Sequence, residues 1–204
     1  MRMRPISSHS GAFRLRRLGA DRRGVAALEF ALIAPTLMVL VLGVFEMSLR
    51  FRAKEETTRY SHLMSDLISR EQTLTTAELR SYYNASTNLM RPLQTSGGVL
   101  QLDVSSIGFN ADGDAVVLWR RLVGTDNVVN DVAIHLPDFD DLGTESESII
   151  RVGVRYTYTS PLTALFGGAV ATITQEAIAR PREALKITLD GAPTRDNGAT
   201  QLVN

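Results

Sequence analysis

Arg22-Arg23-Gly24-Val25-Ala26-Ala27-Leu28-Glu29-Phe30 decides how the rest of the chain is read, because it passes from paired cations through a glycine into an apolar run and sets a carboxylate inside that run. The run extends from Val25 to Phe45, and its only polar side chains are Glu29 and Thr36. At about 1.5 Å per residue, a helix of this length crosses a bilayer core of about 30 Å. An acid within such a segment costs roughly 2.5–3.5 kcal/mol at its centre and less near an end, so Glu29 calls for a partner or a role.

The flanks fix an expected orientation. Seven arginines precede Gly24 (Arg2, Arg4, Arg14, Arg16, Arg17, Arg22, Arg23) against one acid, Asp21, and such a flank is retained in the cytoplasm. Arg50, Arg52 and Lys54 on the far side oppose this, but Glu46, Glu55 and Glu56 lie among them. Arg22 and Arg23 are therefore the topology determinants, and residues 46–204 are expected to be exported. A cleaved signal peptide would have an apolar region of about 7–15 residues and a small-x-small cleavage site. Here the run continues into Phe45-Glu46-Met47-Ser48-Leu49-Arg50, so a retained anchor is the expectation.

The exported part is long enough for one modest domain with its own core, and no repeat is visible. The chain has 22 basic and 22 acidic residues; setting aside the seven arginines and Asp21 leaves 15 against 21, a net charge of −6 beyond Gly24. An acidic domain does not fit nucleic-acid binding, which draws on a basic face. Cysteine is absent, so disulfides, thiol nucleophiles and cysteine metal sites are excluded.

The expected fold is α+β: a long N-terminal membrane-spanning helix extending into an exported head with a second helix and a roughly four-stranded antiparallel sheet. Tyr60, Leu63, Met64, Leu67 and Ile68 recur at helical spacing. One helix is thus expected from about Val25 to Ser69, kinked at Pro35, solvated over its charged middle, and packed on the head by its last turns. Thr75-Thr76-Ala77-Glu78 reads as a capping box opening a second helix to about Met90, before Pro92. Beyond Gly97-Gly98 the period changes to two. Leu100, Leu102 and Val104 alternate with polar residues, and Asn110-Ala111-Asp112-Gly113-Asp114 supplies a turn before a strand over 115–123. Two more strands are expected over 149–159 and 169–179. Residues 126–147 are acidic and irregular and are not placed, and 186–204 are expected to form a frayed, flexible tail. The domain plan is a basic leader (1–24), a membrane helix (25–45), a head (46–185) and that tail.

Catalytic signals are few. His9, His62 and His135 are scattered, and no phosphate-binding loop, nucleophile elbow or HExxH occurs. Asp112-Gly113-Asp114 lacks calcium-loop spacing and reads as a turn. Asp138, Asp140 and Asp141 read as a solvated loop, Trp119 as core, and the Asn84-Ala85-Ser86 sequon as incidental within the second helix. No catalytic residue, metal site or cofactor is expected.

Basic residues, Gly24, then Val25-Ala26-Ala27-Leu28-Glu29-Phe30 with the acid fifth after the glycine, resemble the processing motif of type IV prepilins and pseudopilins. Ala31-Leu32-Ile33-Ala34-Pro35 narrows the resemblance to the TadE-like (TadE/TadG) pseudopilins of Flp/Tad pilus systems. Ser65-Asp66-Leu67-Ile68-Ser69-Arg70, Val117-Leu118-Trp119 and Ala179-Arg180-Pro181-Arg182 also look like that family. The resemblance covers about the first 70 residues well and the head loosely.

It implies a non-enzymatic bacterial inner-membrane protein, N-terminus cytoplasmic and head periplasmic, cut between Gly24 and Val25 by a prepilin peptidase. It further implies a role as minor pilin in pilus assembly or the associated secretion, with other pilins, pseudopilins and Tad assembly proteins as partners. Glycine would let the backbone enter a narrow protease cleft. Glu29, beside Phe30, would then lie in the first turn of the new helix, pairing with the Val25 ammonium of a neighbouring subunit and setting the axial register. Two other readings remain: an unprocessed signal-anchored envelope scaffold with an inert Glu29 reaching the headgroups, and, more distantly, an exported enzyme.

Overall fold

A computed structural model describes residues 23–124, 136–162, 170–191 and 201–203. The chain divides into two compact units at Met47 and Ser48. Helix α1, Arg23–Ser69, is continuous through Pro35. Its first part makes the N-terminal unit; the remaining elements belong to the head.

The end of α1 leads into strand β1 (Thr73–Leu74) and helix α2 (Thr76–Leu89). The capping box is present at α2: Thr75 Oγ1 accepts from the Glu78 amide at 3.2 Å, and the Glu78 carboxylate accepts from the Thr75 amide at 2.8 Å. Met90 is the C-cap, as expected. Strands β2 (Leu100–Phe109) and β3 (Ala115–Gly124) form the expected hairpin around the Asn110 turn, where Asn110 Oδ1 accepts from the amides of Asp112 and Asp114. A short 3-10 turn at Leu136–Phe139 follows, then β4 (Ser148–Thr159), β5 (Val170–Ala179), β6 (Thr188–Leu189) and β7 (Gln201–Val203).

The main sheet has the order β5-β4-β2-β3-β7. Its four long strands are antiparallel neighbours, as expected, and β7 adds a short fifth strand parallel to β3. β1 and β6 make a separate two-stranded parallel pair.

One face of the sheet carries the core: Leu100, Leu102 and Val104 of β2, Trp119 and Val123 of β3, and Ile150, Val152, Val154 and Tyr156 of β4 pack with Tyr60, Met64 and Ile68 of α1. Leu63 and Leu67 are half-buried at its margin. A β-bulge at the Ser106/Ile107 step inserts Leu118, so Val117 and Trp119 lie on opposite faces although two residues apart. The Leu118 side chain occupies the space over Gly108 that a side chain there would need. On the other face Ile107, Phe109, Ala115 and Ile149 gather under Phe139 and Leu136 as a second small core.

Two expectations are corrected. The charged middle of α1 is not wholly solvated: Ala53 and Thr57 are buried and Leu49 is half-buried against the core. Ala53, Thr57, Ser61, Ser65 and Ser69 follow one another at i, i+4 and are all buried. Small side chains let the helix lie close to its neighbours, yet carry almost no hydrophobic signal. Thr57 and Ser61 return their hydroxyls to the carbonyls of Ala53 and Thr58, so burying them strands no donor.

The tail expected from 186 onward is also tied down at its start. Ile187 and Leu189 are buried, β6 pairs with β1, and the Ile187 carbonyl accepts from Trp119 Nε1 at 2.8 Å. Two alternate apolar residues are too few to show a period, so tertiary pairing fixes what local pattern does not.

Candidate assembly surface

The N-terminal part of α1 exposes its apolar residues all round. Val25, Leu28, Phe30, Leu32, Ile33, Leu37, Met38 and Val44 are each more than half exposed. The helix is long and apolar enough to cross a membrane, and none of its most apolar stretch is buried within the protein. Burying one such side chain is worth about 1.5–3 kcal/mol, so a bare helix of this composition is stable only against lipid or other apolar helices.

The residues singled out by sequence lie on this surface. Gly24 is in the first turn of α1 with nothing within 4 Å of the place a Cβ would take, so no packing within the chain asks for glycine there. Val25 follows, 55% exposed. Glu29 is exposed on the same helix beside Phe30, one turn beyond Val25. Pro35 is exposed within the helix. Arg23 opens α1; Arg22 lies outside the described residues, as do His9, His135 and the rest of residues 1–22.

In the head, His62 is exposed on α1, and among the described residues no cluster of His, Cys, Asp or Glu has the makings of a metal site. Asp112-Gly113-Asp114 is the hairpin turn. The aspartates near the 3-10 turn brace that turn, since Asp140 Oδ1 accepts from the Ala115 amide and the Asp141 amide donates to the Gly113 carbonyl. Trp119 is core, and Ser86 of the sequon is buried within α2.

A buried charge network on the sheet face away from the main core escaped sequence reading. Arg120 grips Asp103 with two hydrogen bonds, Nε to Oδ1 at 2.9 Å and Nη2 to Oδ2 at 2.7 Å. Arg151 Nη1 reaches the same Asp103 Oδ2 at 3.0 Å, while its Nε and Nη2 hold Glu176 at 2.9 Å each. The register explains this geometry. Asp103, Gly153 and Glu176 lie directly opposite one another on β2, β4 and β5, and the Arg151 guanidinium folds over Gly153 to bridge the two acids. The outer-face residues Gln101, Asp103, Arg151, Gly153 and Arg155 do alternate in sequence. Their pairing, however, becomes visible only once strand order is known.

Asp190 also acts at a helix end: its carboxylate accepts from the Thr76 amide at 2.9 Å and the Thr76 hydroxyl at 2.7 Å. These two bonds hold the Asp190 carboxyl below its ordinary range, assisted by the charge of Arg121.

Residues 24–60 match the family model for TadE-like proteins, and over that stretch the chain is similar to them. The match opens at Gly24 and runs past the apolar segment to Tyr60. No curated protein and no solved structure matches the chain.

Proposed function

We propose that this TadE-like chain is a minor pilin or pseudopilin of a Flp/Tad pilus system, processed between Gly24 and Val25 and acting without catalysis through lateral packing of its N-terminal helix. The observation that carries the reading is the coincidence of the TadE-like match, which begins at Gly24, with a bare apolar helix bearing one carboxylate, Glu29.

Each residue has a physical task in this scheme. The arginines before Gly24 keep the scissile bond at the cytoplasmic face. Cleavage frees the Val25 ammonium at the head of a helix whose remaining length, through Phe45, suits the bilayer. Glu29, one turn on, offsets its own burial by pairing with the ammonium of a neighbouring subunit, and because both charges sit at fixed heights the pair sets the axial register. The head stays on the far side of the membrane and presents its surfaces to the assembly machinery.

The test is the mass of the N-terminus after coexpression with the cognate prepilin peptidase. A chain beginning at Val25 is expected, and a bulky replacement of Gly24 should block the cut. Recovery of the uncut chain alone, or a cut indifferent to Gly24, overturns the processing step.

A further inference from the structure

The main sheet ends on one side in β5, and this edge differs from edges that proteins keep apart. Exposed edge strands are ordinarily blunted by shortness, lysine, proline or a bulge. Val170–Ala179 is ten residues long, has no lysine or proline, and pairs with β4 in unbroken register. Its only charge, Glu176, is already held by both arms of the Arg151 guanidinium. In an antiparallel ladder about half of its residues turn amide and carbonyl away from β4, and among the described residues no strand receives them; the Thr174 carbonyl is met by the side chain of its neighbour, Gln175 Nε2 at 2.7 Å, a local bond that pairing at this edge would exchange for a ladder bond. The opposite edge, β7, has three residues.

The side chains indicate what such a strand would pair with. Val170, Thr172, Thr174, Glu176 and Ile178 share the outer face, and the two apolar members lie near its ends, 61% and 51% exposed. Antiparallel pairing of β5 with itself about Thr174 sets Val170 of one copy opposite Ile178 of the other, twice by symmetry. It sets Thr172 opposite Glu176, whose charge Arg151 has neutralised, and Thr174 opposite itself. On the inner face Ile173 meets Gln175 and Ala171 meets Ala177. No like charges oppose one another, and each exposed apolar residue gains an apolar partner. An interface in which residue i meets j and j meets i is what a closed two-fold dimer requires.

We propose that the β5 edge is an interface between two copies of this chain, joined as a continuous antiparallel sheet about a two-fold axis at Thr174. The inference stands apart from processing at Gly24 and from the role of Glu29.

The absence of cysteine permits a test of register. Single-cysteine variants of the full chain are purified in non-ionic detergent, checked by Trp119 emission for a folded head, and oxidised with copper phenanthroline. Thr174→Cys brings two thiols to directly opposed positions, with Cα atoms about 4.5–5.5 Å apart, within disulfide reach. Val170→Cys alone leaves them eight residues out of register, about 26 Å. The expected results are cross-linking of Thr174→Cys at least about tenfold faster than of Val170→Cys, and efficient heterodimers when Val170→Cys is mixed with Ile178→Cys. Equal rates at 170 and 174, which would indicate collision or association through the apolar helix, overturn the proposal. So does a purely monomeric mass for the unsubstituted chain in the same micelles.

Discussion

Glu29 sets the sharpest problem at the scale of single residues. On a helix whose neighbours are apolar, a carboxylate makes insertion less favourable, and only a contact made in the assembled state offsets that cost. Replacing it with alanine should therefore leave membrane insertion intact, as read by resistance to alkaline extraction, while pilus number falls at least severalfold. Normal piliation with Glu29→Ala would remove the pairing role and leave an acid that merely reaches the headgroups. Asp190 poses a smaller problem with a defined sign. Its carboxyl is held below its ordinary value by the two bonds from Thr76, so the folded state favours the charged form. That stabilisation is present above the unfolded carboxyl value, near pH 4, and is lost as pH falls through the lower folded value. Asp190→Asn should thus cost a few tenths to about 1 kcal/mol at pH 7, judged against ordinary helix caps. The deficit should shrink in urea melts at progressively lower pH, and a constant deficit from pH 7 to pH 2 would refute the ionic account.

Among the elements, the contrast between α1 and the sheet explains what was readable beforehand. The apolar period of Tyr60, Met64 and Ile68, the Thr75 box and the alternation of Leu100, Leu102 and Val104 are local patterns, and each element appears where its pattern lies. The close-packed face of Ala53, Thr57 and Ser61 and the pairing of Ile187 and Leu189 are not local, because small or isolated residues acquire meaning only from what faces them. The same holds for the Asp103 network, which needs three strands in register before its charges meet. The TadE-like resemblance that opens at Gly24 was, by contrast, legible from consecutive residues, and the family match begins there. The network yields a graded prediction. Asp103→Ala leaves the buried Arg120 and Arg151 without their shared acceptor and should cost about 3–5 kcal/mol in chemical denaturation. At Gly153 a Cβ would meet Arg151 and Asp103 at an ordinary 3.5 Å, so alanine should be nearly neutral. Valine at that position would push the guanidinium off its two acids, at about 1–3 kcal/mol. Equal effects of alanine and valine would show that Arg151 does not depend on the empty space over Gly153.

For the whole molecule, the two units place opposite demands on solvent. Buried apolar residues of the cores begin at Ala53, whereas the apolar side chains from Val25 to Met47 are largely bare. Among the described residues the cores of the head draw on none before Ser48, and the exposed apolar surface suited to lipid lies on the N-terminal helix. A chain starting at Ser48 keeps Leu49, the small-residue face of α1 and every strand, and loses the bare helix. It should stay in solution without detergent and unfold in one cooperative step. Trp119 is the chain's single tryptophan, fully enclosed and bonded through Nε1 to the Ile187 carbonyl, so its emission reports that step directly. The truncated head should show the same blue-shifted emission as the full chain in micelles and the same urea unfolding free energy within about 0.5 kcal/mol, the tolerance expected for distant, independent parts. A red-shifted spectrum before denaturant is added, or a midpoint markedly below that of the full chain, would mean that the membrane segment contributes to the head's fold and that the division at Met47 and Ser48 is not energetic.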